Sequence, residues 1–262
     1  MNNKNVKWES NIIYKQGTPR MTVIAAINYG QGVVIASDSQ ATIGNTLKRV
    51  GERKITEIEG IPNLKFNFAG AGDERLLARA KEQIISECMI NKISTIFDFK
   101  TICENVVKFI KKRYVDDESS YPNLEFFTGV SVNNNIALFR LYPDGIASNI
   151  YGCDVIGSGW LFAEYIYSRL NKENLSVIEA ANIDLYVVEE VKKIDPNCGG
   201  ETTMSVLSYN SFFKHGAFEG YIGEQVDILQ KADNGMKSIW QKMIRDPGIL
   251  NKLSSGENIE NK

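Results

Sequence analysis

Histidine is almost missing from this sequence: His215 is its single example among 262 residues. A Ser-His-Asp or Cys-His hydrolase would have to use it, yet SFFKHGAFEG places no nucleophile motif beside it, and it reads as a loop or strand-end residue. A histidine-rich metal centre is excluded by the same count. The four cysteines, Cys88, Cys103, Cys153 and Cys198, lie far apart without a CxxC spacing, so neither a disulfide framework nor a zinc site is expected. Charge is nearly balanced at −2, which provides no electrostatic footprint for nucleic acid or an anionic membrane. No apolar run is long enough to span a bilayer, and the polar start MNNKNVKWESNIIYKQGTPR lacks the core of a secretory signal. No G-x-x-x-x-G-K-[ST] phosphate loop occurs. What is left is an ordinary globular composition, 43% hydrophobic and 24% charged, with a cytoplasmic location as the expectation.

The patterning that is present comes in blocks. TVIAAI and GVVIA flank a glycine turn and predict a β-hairpin; KRVGERKITEI and LKFNFAG predict two further short strands separated by EGIPN. From Asp73 the period becomes helical, placing Leu76, Leu77, Ala80, Ile84 and Met89 on one face. A second helix in DFKTICENVVKFIKKRY has Ile102, Val106, Phe109 and Ile110 as its apolar stripe. LEFFTGVSV and IALFRLY form a hairpin around Asn133 to Asn135, followed by ASNIYG and CDVIGSG. WLFAEYIYSRL and SVIEAANIDLYVVEEVKKI predict two more helices, TTMSVLS a strand, and EQVDILQKADNGMKSIWQKMI a terminal helix. Strand blocks alternating with helix pairs do not suit a doubly wound parallel sheet. They predict an α+β fold: a four-layer αββα sandwich of two antiparallel sheets flanked by helix pairs. With no internal linker or repeat, one domain over residues 22–245 is expected, between an extension or propeptide at 1–21 and a polar, disordered tail at 246–262.

Two glycine clusters stand at predicted strand-to-helix junctions. Gly70-Ala71-Gly72 lacks the full G-x-G-x-x-G, because Arg75 fills the last position, but leaves backbone N–H donors able to bind an anion. Gly157-Ser158-Gly159 is out of frame for a G-x-S-x-G nucleophile elbow and reads as a tight turn with a capping serine. GVVIASDSQ ends a strand on a carboxylate, Asp38, which an Asx turn would explain by itself.

The stretch TVIAAINYGQGVVIASDSQATIG…KIT resembles the N-terminus of proteasome β-type subunits and of the bacterial two-component proteasome-like protease, both N-terminal-nucleophile hydrolases. That family sets a catalytic threonine first, an aspartate after the second strand and a lysine on the next; here Thr22, Asp38 and Lys54 follow at two equal intervals of 16 residues. QATIGN resembles the segment that pairs with substrate backbone, with Thr42 in that role. Phe68-Ala69-Gly70 resembles the strand end carrying the oxyanion-hole glycine, Gly70. Ile156-Gly157-Ser158-Gly159 resembles the turn bearing the accessory serine, Ser158. Asp195-Pro196-Asn197-Cys198-Gly199-Gly200 resembles the D-x-x-S-G-G loop, with Asp195 completing the site and Cys198 standing where the family usually has serine.

The resemblance implies a threonine-type peptidase acting on polypeptides, assembled as a homo-oligomeric ring, served by an ATP-driven unfoldase and needing no metal or cofactor. Elementary chemistry agrees. A threonine hydroxyl is a poor nucleophile until a base takes its proton, and a free α-amine with a reference pKa of about 7.7–8.0 is suited to that task. Lys54 would keep that amine partly neutral, and Asp38 would hold the lysine. Phe68, beside Gly70, is expected to limit the depth of the primary specificity pocket. Twenty-one residues precede Thr22, however, and Met21 replaces the glycine that family propeptides commonly present. Met21 as the true initiator and autocatalytic removal of 1–21 are both open. If neither exposes Thr22, the chain is a non-catalytic ring-forming subunit; a small-amide hydrolase of the same superfamily is the other alternative.

Overall fold

The computed structural model describes residues 22–43, 47–115, 120–170, 174–209, 211–212 and 215–245. The expected extension at 1–21 and tail at 246–262 therefore lie outside the described residues. The first sheet contains β1 (Val23–Asn28), β2 (Gly32–Asp38), β10 (Cys153–Gly157), β11 (Thr202–Ser208) and β12 (Ser211–Phe212), in the order β10-β1-β2-β11-β12. The second contains β5 (Ile55–Ile61), β6 (Leu64–Gly72), β7 (Leu124–Val132), β8 (Asn135–Leu141) and β9 (Ala147–Asn149), paired in chain order. Every pairing in both sheets is antiparallel. β3 (Ala41–Ile43) and β4 (Leu47–Arg49) form a separate two-stranded ribbon.

Alternation along the strands builds three apolar layers. Ile24, Ala26, Val33 and Ile35 of the first sheet meet Ala69, Ala71 and Phe127 of the second between the sheets. Val23, Ala25, Val34 and Ala36 face outward, onto α3 (Trp160–Leu170), α4 (Val177–Ile194) and the inner side of α5 (His215–Arg245). Phe66, Phe68, Phe126 and Phe139 face the other way, onto α1 (Glu74–Ile90) and α2 (Ile96–Tyr114). This is the predicted four-layer αββα sandwich. Inside the inter-sheet layer Asn67, fully buried, donates to Ser205 Oγ at 3.2 Å and accepts from Gly129 N at 2.7 Å, so one polar link crosses the apolar seam.

Local chemistry fixes the element ends. Thr95–Asp98 and Ser176–Glu179 close reciprocal capping boxes on α2 and α4, and Asp73 caps α1. Asn133 and Asn134 both take positive φ, 48° and 67°, as a two-residue hairpin turn between right-twisted strands requires. Some expectations need correction. KRVGERKITEI is not one strand: Lys48 and Arg49 end β4 of the ribbon, and β5 of the second sheet begins only at Ile55. Met89 is 69% exposed: the stripe of Ala80 and Ile84 continues four residues on to Cys88, and Met89 is rotated off it. Phe109 is 40% exposed, because Val106, Val107 and Ile110 take the inner face. His215 opens α5 rather than sitting in a loop or at a strand end.

Candidate active site

Thr22 immediately precedes β1, and Asp38 is the last residue of β2, so the β1–β2 pairing places the two at the same end of the first sheet. Both are buried, at 4% and 0% exposure. Thr22 Oγ1 donates to Asp38 Oδ1 at 2.7 Å. Lys54 lies just before β5 in the second sheet and reaches across to donate to both Thr22 Oγ1 and Asp38 Oδ1, the latter at 2.6 Å. The alcohol oxygen is thereby held between a carboxylate and an ammonium.

Asp38 does more than anchor a lysine. Its Oδ1 also accepts Val23 N at 3.0 Å, while Oδ2 accepts Gln40 N at 3.3 Å and Gly199 N at 3.0 Å. Five donors satisfy a carboxylate with no access to water, which is the condition for keeping such a charge buried. The bond from Gly199 draws the loop after α4 onto the site, and Ser39 N donates back to Gly199 O at 3.2 Å. Lys54 has its side chain only 11% exposed, and burial pulls its pKa below the ordinary lysine value; the charge and hydrogen bond of Asp38 oppose that shift without cancelling it. An ammonium that gives up its proton more easily than usual beside an alcohol oxygen is suited to proton transfer.

A second cluster supports Thr22 from the other side. Gly157, at φ +102°, packs so tightly that a Cβ there would lie 2.1 Å from the Thr22 carbonyl oxygen, so this position is closed to any side chain. Gly159 N donates to that carbonyl at 3.4 Å. Ser158 Oγ is 3.4 Å from the same oxygen, but its one proton goes to Asp195 Oδ2 at 2.6 Å. Cys198 Sγ stands 3.5 Å from Asp195 Oδ2 and 3.8 Å from Ser158 Oγ. Burial, helped by the charges of Asp38 and Asp195, pushes its thiol far above the ordinary range, so Cys198 remains a weak S–H donor packed in the helix-side core.

Gly70 lies one residue past the Ile55–Ala69 pair, opposite Lys54, where β5–β6 pairing stops. A Cβ there would lie 2.4 Å from Leu77 Cδ2, the movable end of a half-buried side chain. Phe68 is 4% exposed and packs on Phe126 with ring centroids 4.4 Å apart. Thr42 lies in β3 opposite Lys48; its side chain is outside the described part of the structure. The structure thus bonds Thr22, Asp38 and Lys54 into one group and sets a second bonded group, Ser158, Asp195 and Cys198, against the Thr22 carbonyl, with Gly70 and Phe68 on the neighbouring strand. Sequence reasoning missed the role of Gly199 as a backbone donor to Asp38; only its glycine-rich loop could have hinted at it. A groove between α1 and α2, lined by Gln83, Phe97, Ile102 and Phe109, contains none of these residues. Among the described residues no group of His, Cys, Asp and Glu is arranged to hold a metal, and no helix is long and apolar enough to cross a membrane.

Comparison with known proteins shows the family. A family model described as proteasome subunit matches residues 18–207. The chain belongs to the proteasome subunit family. Proteasome subunit beta 1 of Pyrococcus horikoshii is 25% identical over 198 residues, spanning 71% of this chain and 90% of its own. Proteasome subunit beta of Methanosarcina mazei is 22% identical over 202 residues, with 76% and 90% covered. Among solved structures, the ancestral beta-subunit Anbu from Yersinia bercovieri superposes with a TM-score of 0.70 at 14% identity, covering 84% of this chain and 96% of that one. The Anbu complex of Pseudomonas aeruginosa, solved as a helical assembly, gives 0.66 at 14% identity over 84% and 96%. At these identities the two structures establish the shared proteasome-like fold.

Proposed function

We propose that this proteasome-family chain is a threonine-type endopeptidase whose nucleophile is Thr22 Oγ1, and that residues 1–21 are removed to free its α-amine. The observation that carries the reading is the placement of Lys54 and Asp38 on one buried threonine hydroxyl. Once N-terminal, the Thr22 amine accepts the Oγ1 proton, and the oxygen attacks the substrate carbonyl carbon. The resulting oxyanion is taken by the Gly70 N–H, and Lys54 offsets the charge on the attacking oxygen as it develops. Collapse breaks the peptide C–N bond; the amine returns the proton to the departing nitrogen and leaves an ester on Thr22. Water, deprotonated by the same amine, then attacks the ester carbon; the acyl C–O bond to Oγ1 breaks, the amine's proton returns to Oγ1, and the acid is released. Ser158, Asp195 and Cys198 tie the loops that flank Thr22, whose carbonyl Gly159 N–H holds, and the Thr42 backbone pairs with the extended substrate.

The domain then spans 22–245, followed by the tail at 246–262. Assembly into a homo-oligomeric ring is proposed from family membership, together with the helical assembly of the Pseudomonas aeruginosa relative. An ATP-driven unfoldase would supply extended polypeptide, and the chemistry runs in the cytoplasm without a cofactor. Peptide hydrolysis by the purified chain tests the reading: cleavage is expected from wild type and lost in Thr22→Ala, and equal cleavage by both rejects it. A second reading, a non-catalytic ring subunit, is favoured by Met21 standing where a glycine would assist self-cleavage. A chain that retains residues 1–21 and cleaves no peptide supports it. Cleavage of small amides in preference to peptides would instead favour a small-amide hydrolase.

A further inference from the structure

At the end of the second sheet, Lys54 stands beside residues that are only partly closed off from solvent. Thr56 lies two residues beyond Lys54, on the same side of β5 because side chains alternate, and it is the cross-strand partner of Phe68. Phe68 is buried, whereas Thr56, Gly70, Leu77 and Lys81 are all half-buried. Lys81 stands on α1 and donates from Nζ to Thr56 Oγ1 at 3.2 Å. That acceptor is neutral, and among the described residues no carboxylate pairs with the Lys81 ammonium. A half-buried cation satisfied only by a hydroxyl has capacity for an anionic partner.

We propose that Lys81 is a specificity-determining residue for cleavage at Thr22, selecting peptides that carry Asp or Glu on the acyl side of the scissile bond. The inference rests on the peptidase reading above. A carbonyl within reach of Thr22 Oγ1, its oxygen at the Gly70 N–H, sets its own side chain over β5 and β6 between Lys54 and Phe68. The buried Phe68 ring limits how deep that side chain can reach, so a carboxylate on a short stem would meet Lys81. A basic side chain would face two ammonium groups, those of Lys54 and Lys81, and be repelled.

The test uses the full purified chain, its N-terminus read by mass spectrometry, and peptides differing only in Glu, Leu or Arg before the cleaved bond. Wild type is expected to favour Glu over Arg in kcat/KM by roughly tenfold or more, the effect of a partly desolvated charge pair. Lys81→Glu should invert that ratio, mainly through KM, and Lys81→Arg should keep it; thermal melting establishes that both variants fold. A wild-type preference for Leu or Arg, or an unchanged ratio in Lys81→Glu, overturns the proposal. If either result appears while a β-lactone probe still acylates Thr22 in wild type, only the role of Lys81 is lost. If wild type is neither acylated nor able to cleave any peptide, the peptidase reading falls and the proposal falls with it.

Discussion

Asp38 and Lys54 make unequal contributions, and their hydrogen bonds say why. Replacing Asp38 by Ala removes the acceptor of five donors at once, including the Lys54 ammonium, which keeps only Thr22 Oγ1, and the N–H groups of Val23 and Gly199. A loss of about 3–5 kcal/mol is expected in urea unfolding, the usual cost of breaking a buried pair from one side. Lys54→Met leaves the carboxylate with four donors and should cost clearly less, while peptide cleavage falls by roughly a hundredfold or more. Equal destabilisation by the two substitutions would contradict the placement of Asp38 as a hub. Cys198→Ser should fold and retain cleavage, because a hydroxyl can reach Asp195 in the same way with a stronger bond; loss of cleavage there would show that the thiol itself is needed. Thr22, Asp38 and Lys54 were legible in the sequence because their spacing matches a pattern. The Gly199 donor was not, since it lies 161 residues from Asp38 and acts through backbone that any residue type carries.

Strands and helices were legible where a period was strong and one-sided. The helix spans over 160–170 and 177–194 and the strands over 124–132 and 202–208 fall where the patterns put them. Faces were less so: Met89 and Phe109 are apolar residues on the outward side of amphipathic helices, and hydropathy alone does not separate them from Cys88 and Val107. Nor did periodicity reveal the pair between α3 and α4. Tyr167 donates to Asp184 Oδ1 in a fully buried setting, and Asp184 Oδ2 has no hydrogen-bond partner. Burial raises the Asp184 pKa well above the carboxylate range, against the lowering effect of the Tyr167 bond. Below about pH 4 the acid is protonated whether the chain is folded or not; above that the unfolded chain ionises first, so stability falls as pH rises toward the folded pKa. Asp184→Asn should remove this decline, so its unfolding midpoint should fall less than wild type's between about pH 4.5 and 7. Parallel pH profiles would refute a neutral Asp184. On the strand β10, Gly157→Ala should displace the Thr22 carbonyl, since backbone has no room to yield at 2.1 Å, and cleavage should fall with stability.

The four-layer architecture explains why the site needs both sheets. Thr22 and Asp38 belong to one sheet end, Lys54 and Gly70 to the other, and Gly199 to the loop that leads into β11. Close packing between the sheets sets the reach of Lys54. Phe127 is wholly buried in that seam, and Phe127→Ala should cost about 3–5 kcal/mol and lower peptide cleavage besides. Stability lost without any change in cleavage would show that the two sheet ends hold their spacing without it. The central claim is narrower: a buried hydroxyl between Lys54 and Asp38 becomes a nucleophile when its own α-amine is free. The intact mass of the purified chain, before and after treatment with a β-lactone, tests it most directly. The account predicts a chain beginning at Thr22 that gains one adduct on that residue; a chain still beginning at Met1 that gains none would contradict it.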